Sequence, residues 1–100
     1  MDDEKTAAAM TAHLIARGYG PLRIRHVLKQ KGLDNALIEK NLAICGDEAG
    51  QIRRAMNLLN KKCQFLSREA DPWKRRQKAY RYLAGRGFPS AVIRQAVDDM

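Results

Sequence analysis

Proline is scarce in this chain, cysteine scarcer, and no run of apolar residues approaches a membrane span. Three prolines and seven glycines in one hundred residues leave long stretches free of both, which favours helices. A transmembrane helix needs roughly 20 consecutive apolar residues, and none is present. The acidic start, Asp2, Asp3 and Glu4, carries neither the basic nor the apolar segment of a signal peptide. A soluble cytoplasmic protein is expected. Cys45 follows Ile38 and Leu42 in phase, and Cys63 follows Met56 and Leu59, so both read as buried free thiols of a reducing compartment.

Reactive constellations are missing as well. His13 and His26 are far apart, and neither has a cysteine or carboxylate at metal-ligand spacing. Gly18-Tyr19-Gly20 opens like a dinucleotide fingerprint, yet Arg23 stands where the third glycine belongs and no strand pattern precedes it. There is no phosphate-binding P-loop. The carboxylates gather at the chain ends and helix starts, where capping accounts for them. No enzyme activity, cofactor, metal or small-molecule substrate is expected.

What the chain does have is positive charge. Nineteen Lys and Arg against eleven Asp and Glu give +8, and 45% of residues are hydrophobic, which is ordinary for one small globular body. From Arg53 to Arg86 there are eleven basic residues and only two acidic ones, Glu69 and Asp71. Such an excess attracts nucleic acid or an acidic protein surface. A solvated face serving solubility would show the same composition.

Self-comparison exposes a repeat. Leu14-x-x-Arg17-Gly18-Tyr19 leads to Ile24 and Leu28; Leu28-x-x-Lys31-Gly32-Leu33 leads to Ile38 and Leu42; Leu83-x-x-Arg86-Gly87-Phe88 leads to Ile93 and Val97. A weaker copy runs from Leu42 through Gly46 to Met56. The spacing describes a helix stopped by a left-handed glycine, an apolar residue folding back, and a new helix. Arg17, Lys31 and Arg86 sit where a cation favours the negative helix end. Pro21, Asp34, Asp47, Asp71-Pro72 and Pro89-Ser90 supply start signals.

Helices are predicted over 4–17, 21–31, 34–45, 47–65, 72–86 and 89–98. The fold class is all-α: two tandem three-helix repeats, six short helices in a curved array, divided as 1–46 and 47–100. Ile52, Ala55, Met56, Leu59, Cys63 and Leu66 form the apolar stripe of the fourth helix, and Trp73, Tyr80 and Leu83 that of the fifth. Trp73, after Pro72, is expected to staple its helix to the neighbouring unit. Helix periodicity then leaves basic rows on other faces: Arg75, Lys78, Tyr82 and Arg86; Arg54, Lys61 and Arg68; Arg25 and Lys29 beside Arg23 and His26. Rows with an aromatic among cations can grip phosphates and offer a stacking surface. Acidic partners look absent from the fourth and fifth helices.

The stretch Gly18-Tyr19-Gly20-Pro21-Leu22-Arg23-Ile24-Arg25, continuing to Lys31-Gly32-Leu33, closely resembles the second repeat of the RecX family, bacterial regulators of the recombinase RecA. Lys78 to Val97, with Arg86-Gly87-Phe88 and Ile93-Arg94, resembles its third repeat. A first repeat is missing, and Glu48 stands after Asp47 where the family commonly has tryptophan. The resemblance implies a non-enzymatic inhibitor that binds the groove of the RecA–DNA filament and suppresses ATPase and strand exchange, restraining recombination and the SOS response. It implies RecA and single-stranded or duplex DNA as partners. The candidate contact residues are Arg23, Arg25, Lys29, Arg54, Lys61, Arg75, Lys78, Tyr82 and Arg86. A general basic helical nucleic-acid-binding module is the alternative.

Overall fold

The computed structural model describes residues 3–99, the side chain of Cys63 excepted; the expected burial of that thiol lies outside the described residues. Among these residues there are seven α-helices and no strand. They are α1 (Asp3–Ala16), α2 (Pro21–Gln30), α3 (Asn35–Leu42), α4 (Glu48–Lys61), α5 (Cys63–Ser67), α6 (Pro72–Gly85) and α7 (Ser90–Asp98). A 3₁₀ turn, Ala43–Cys45, follows α3. The body is elongated, 52 × 20 × 17 Å.

Local chemistry sets the helix boundaries. Asp34, Asp47 and Asp71 each cap a helix, their Oδ1 atoms accepting the backbone N–H of Leu37 (2.8 Å), Gly50 (2.8 Å) and Trp73 (3.0 Å). Each cap contributes about 1 kcal/mol. Pro21 and Pro72 occupy the first helical turn, where no N–H is needed. The three strong copies of the repeat end alike. Tyr19, Leu33 and Phe88 donate backbone N–H bonds to the carbonyls of Leu14, Leu28 and Leu83. Gly18, Gly32 and Gly87, all at positive φ, donate to Ile15, Lys29 and Ala84. These are Schellman motifs, and they explain the spacing: the leucine accepts from the residue after the glycine, and the two side chains join the same apolar cluster. The weak copy ends differently, with Gly46 bonded back to Ala43 after the 3₁₀ turn.

Two expectations are corrected. The predicted fourth helix is interrupted at Lys62 (φ −100°, ψ 13°), giving α4 and α5 and seven helices instead of six. The interruption carries Leu66 into the core against α6, and neither glycine nor proline marks it. Trp73 is no staple: it is 65% exposed, and Tyr80 is 40% exposed. Of that stripe only Leu83 is fully buried, joined by Ala79.

Two apolar clusters result. One gathers Ile24, Leu28, Ile38 and Cys45, with Met10, Leu14 and Tyr19 against it. The other gathers Ala55, Leu59, Leu66, Ala79, Leu83, Phe88 and the inner face of α7. A fully buried Leu or Ile stabilises by about 2 kcal/mol, so each cluster holds its own helices. Burial raises the Cys45 thiol pKa, with Arg54 opposing.

The units meet through backbone. Gly20 N–H donates to the Arg86 carbonyl (2.7 Å) and Leu22 N–H to that of Gly87 (2.8 Å). A Cβ on Gly20 would lie 2.6 Å from the Gly87 oxygen, and one on Gly87 would lie 2.4 Å from Arg23 N and Cβ. Only glycine permits that approach. The paired breaks of the Arg17–Arg25 and Arg86–Phe88 segments are therefore a joint between the units.

Candidate interface for a polyanionic partner

The joint carries an alternating stack of cations and rings. The Arg23 guanidinium lies 5.4 Å from the Tyr19 ring centre, and that of Arg86 lies 5.1 Å from it on Tyr19 and 5.5 Å from Tyr82. Lys62 Nζ is 5.6 Å from the Tyr82 ring. Such cation–π pairs contribute about 0.5–1 kcal/mol each at exposed sites and hold the side chains in place. Arg86 also donates through Nη1 to the Arg17 carbonyl (3.2 Å), capping α1 from across the joint. The stack frames an open cleft of about 420 Å³ lined by Tyr19, Arg23, Arg81, Tyr82, Gly85 and Arg86. A second, about 190 Å³, has Tyr19 as a shared wall and includes Arg17, Arg54 and Lys61. No carboxylate among the described residues lines either.

A 420 Å³ space with three guanidiniums and two phenol rings suits a phosphate with a flat base or ring beside it. Guanidiniums give bidentate donors to phosphate oxygens, and tyrosines give stacking faces.

The structure sorts the predicted residues. Arg23, Tyr82 and Arg86 come together in the larger cleft, and Arg54 and Lys61 in the smaller. Lys29 is exposed on α2 and lines neither cleft. Three of the arginines have structural work: Arg86 as described, Arg54 bonding the Cys45 carbonyl at the end of the 3₁₀ turn, and Arg75 closing α5 through Nε and Nη2 on the Glu69 carbonyl (3.2 and 2.9 Å). The absence of acidic partners is corrected too. Lys78 Nζ is 3.4 Å from Glu69 and 5.6 Å from the Phe65 ring centre, Arg76 pairs with Asp98, and on α2 Arg25 pairs with Glu39, both at 2.5 Å. These exposed pairs stabilise little, but they reduce the field at Arg25 and Lys78. The intended row on the fifth helix thus splits, Arg75 and Lys78 against Glu69, Tyr82 and Arg86 at the joint.

Tyr19 and Arg81 were missed. Tyr19 read as the apolar residue closing a Schellman motif, and Arg81 fell outside the basic rows. Only the docking of one unit on the other puts them in one cleft.

Glu69 titrates below the ordinary carboxylate range, first because it accepts the Asp71 backbone N–H (3.3 Å), then because of Lys78. A lowered folded pKa adds stability above the unfolded pKa and loses it as pH falls through the folded value. Glu69→Gln is therefore expected to lower stability slightly at neutral pH and to match the parent at low pH, so that its profile is flatter from the usual glutamate range downward. Thermal melts across that range check it.

No group of three His, Cys, Asp or Glu among the described residues could hold a metal ion, and no described helix is long and apolar enough to cross a membrane. Paired helical units with a cationic cleft at their joint define an all-helical tandem-repeat protein. Comparison with known proteins makes this particular. Residues 2–42 match the family model of the second three-helix domain of RecX, and residues 50–97 that of the third. The regulatory protein RecX of Deinococcus radiodurans is 42% identical over 84 residues, which cover 84% of this chain and 39% of that protein. The regulatory protein RecX of Serratia proteamaculans is 35% identical over 99 residues, 99% of this chain and 56% of that one. The crystal structure of RecX from Lactobacillus salivarius superposes with a TM-score of 0.82 at 20% identity, covering 99% of this chain and 64% of that one. The chain belongs to the RecX family, and it spans 39% and 56% of the length of the two curated relatives above.

Proposed function

We propose that this chain inhibits the RecA recombinase in the cytoplasm by docking in the groove of the RecA–DNA filament and suppressing its ATPase and strand exchange. One observation carries the reading: the joint presents Arg23, Arg81 and Arg86 with Tyr19 and Tyr82 in a cleft that no carboxylate among the described residues lines. That is the chemistry a filament-bound single strand requires of a binder. Family membership supplies the regulatory setting. The chain divides near Gly46–Asp47 into units 1–46 and 47–100, so both contribute walls to the cleft. The test is RecA ATPase on single-stranded DNA. Adding the chain is expected to suppress turnover in proportion to its concentration, and an unchanged rate at saturation sinks the reading.

The alternative, a general nucleic-acid-binding module, is favoured by the same cleft, whose phosphate chemistry needs no RecA. Three phosphate contacts on a single strand predict a slope of roughly −2 in log affinity against log salt. Tight binding of labelled DNA without RecA, with that slope, would promote the module reading; failure to bind at low salt would retire it.

A further inference from the structure

A second aromatic surface lies along α6, away from the joint. Trp73, the only tryptophan of the chain, and Tyr80 stand exposed around a cleft of about 290 Å³ between α6 and α7, completed by Arg76, Gln77, Arg94 and Val97. From Trp73 to Arg86 the helix rises roughly 20 Å, so a nucleotide in the joint cleft leaves this one free. Trp73 is held at the start of α6 by Pro72 and by its N–H bond to Asp71, which keeps the exposed ring on a rigid base. Tryptophan, tyrosine and arginine are the residues that most often dominate protein interfaces.

Charge separates this surface from the joint. Asp98 holds Arg76 at the rim (2.5 Å). The Asp98 carboxylate, bound to the lining Arg76, offsets one of the cleft's two guanidiniums, which disfavours a phosphate backbone, whose charge is continuous. Arg94 is exposed and has no ion-pair partner among the described residues. One discrete carboxylate beside an apolar side chain meets both demands: the side chain enters between Trp73 and Tyr80, and the carboxylate pairs with Arg94. We infer that this cleft docks an acidic, apolar-anchored segment of a protein partner. Resting on the proposed reading, that partner is the RecA protomer, with the bound strand reserved for the joint.

The experiment labels the full chain with 5-fluorotryptophan, whose single ¹⁹F resonance reports on position 73 alone, and titrates RecA, RecA filament and single-stranded DNA separately. The expected result is a shifted or broadened resonance with RecA and with filament, and none with DNA. Trp73→Ala and Arg94→Glu, both at exposed positions, are each expected to raise the concentration for half-inhibition of the RecA ATPase at least tenfold while leaving DNA affinity within twofold. An unmoved resonance while the parent inhibits, or variants that inhibit like the parent, overturns the docking surface. A response to DNA alone assigns the cleft to nucleic acid, and one that grows with chain concentration alone assigns it to a second copy; each overturns it as well. A parent that does not inhibit at all defeats the functional reading, while the resonance with RecA still decides the docking.

Discussion

Gly87→Ala is expected to lower the melting temperature by roughly 15 °C or more, whereas Gly32→Ala lowers it by roughly 5 °C. The two glycines share a role, each closing a Schellman motif at positive φ, +91° and +80°. A side chain in that backbone region costs about 1–2 kcal/mol. They differ in surroundings. Around Gly32 nothing among the described residues lies within 4 Å of a would-be Cβ; at Gly87 that Cβ would meet Arg23 N and Cβ at 2.4 Å. The overlap is with backbone and the root of a side chain, so relief requires moving α2 away. That movement breaks the Leu22–Gly87 bond. A total of about 3 kcal/mol follows, near the top of the usual range for single substitutions. Gly20→Ala isolates the contact term, because φ is −90° there and only the approach to Gly87, at 2.6 Å, forbids a methyl group. Thermal and denaturant unfolding of the three variants decide it. If Gly87→Ala melts within a few degrees of Gly32→Ala, the glycine pair does not join the units.

Local chemistry was legible in the sequence and inter-unit chemistry was not. The leucine–glycine spacing gives the Schellman ends, because every bond in that motif lies within six residues. The aspartate caps and prolines give the helix starts for the same reason. The break at Lys62 escaped, since Asn60, Lys61 and Lys62 all tolerate a helix and only the demand that Leu66 reach α6 turns the chain. Trp73 misled because periodicity says which face a residue occupies, while burial depends on whether anything covers that face. The basic rows misled likewise. Glu39 and Asp98 come from other helices than the arginines they neutralise, and a row read along one helix cannot see them. Tyr19 lies 63 residues from Tyr82, and only the Gly20–Gly87 contact brings both onto Arg86.

Arg86 is the residue where structure and the proposed binding coincide, and its replacement should separate from that of its neighbours. Arg86→Ala removes a bond to the Arg17 carbonyl and two ring contacts. At about 1 kcal/mol for the bond and about 0.5 kcal/mol for each ring, the loss is about 2 kcal/mol, or roughly 10 °C in melting temperature. It also removes one of three guanidiniums from the cleft. Arg23→Ala with Arg81→Ala removes the other two. Arg81 has no ion pair or ring contact among the described residues and Arg23 has one ring contact, so this double variant should melt within a few degrees of the parent. Its inhibition of RecA should nonetheless fall by about tenfold or more, since losing two charge-assisted contacts is worth at least 1.4 kcal/mol. Arg86→Lys keeps the charge without the planar fork, and its melting temperature should lie between those of the parent and Arg86→Ala. Circular dichroism melts and ATPase titrations read the two axes independently. A double variant that inhibits like the parent removes the cleft from the binding surface, and an Arg86→Ala variant as stable as the parent removes Arg86 from the joint.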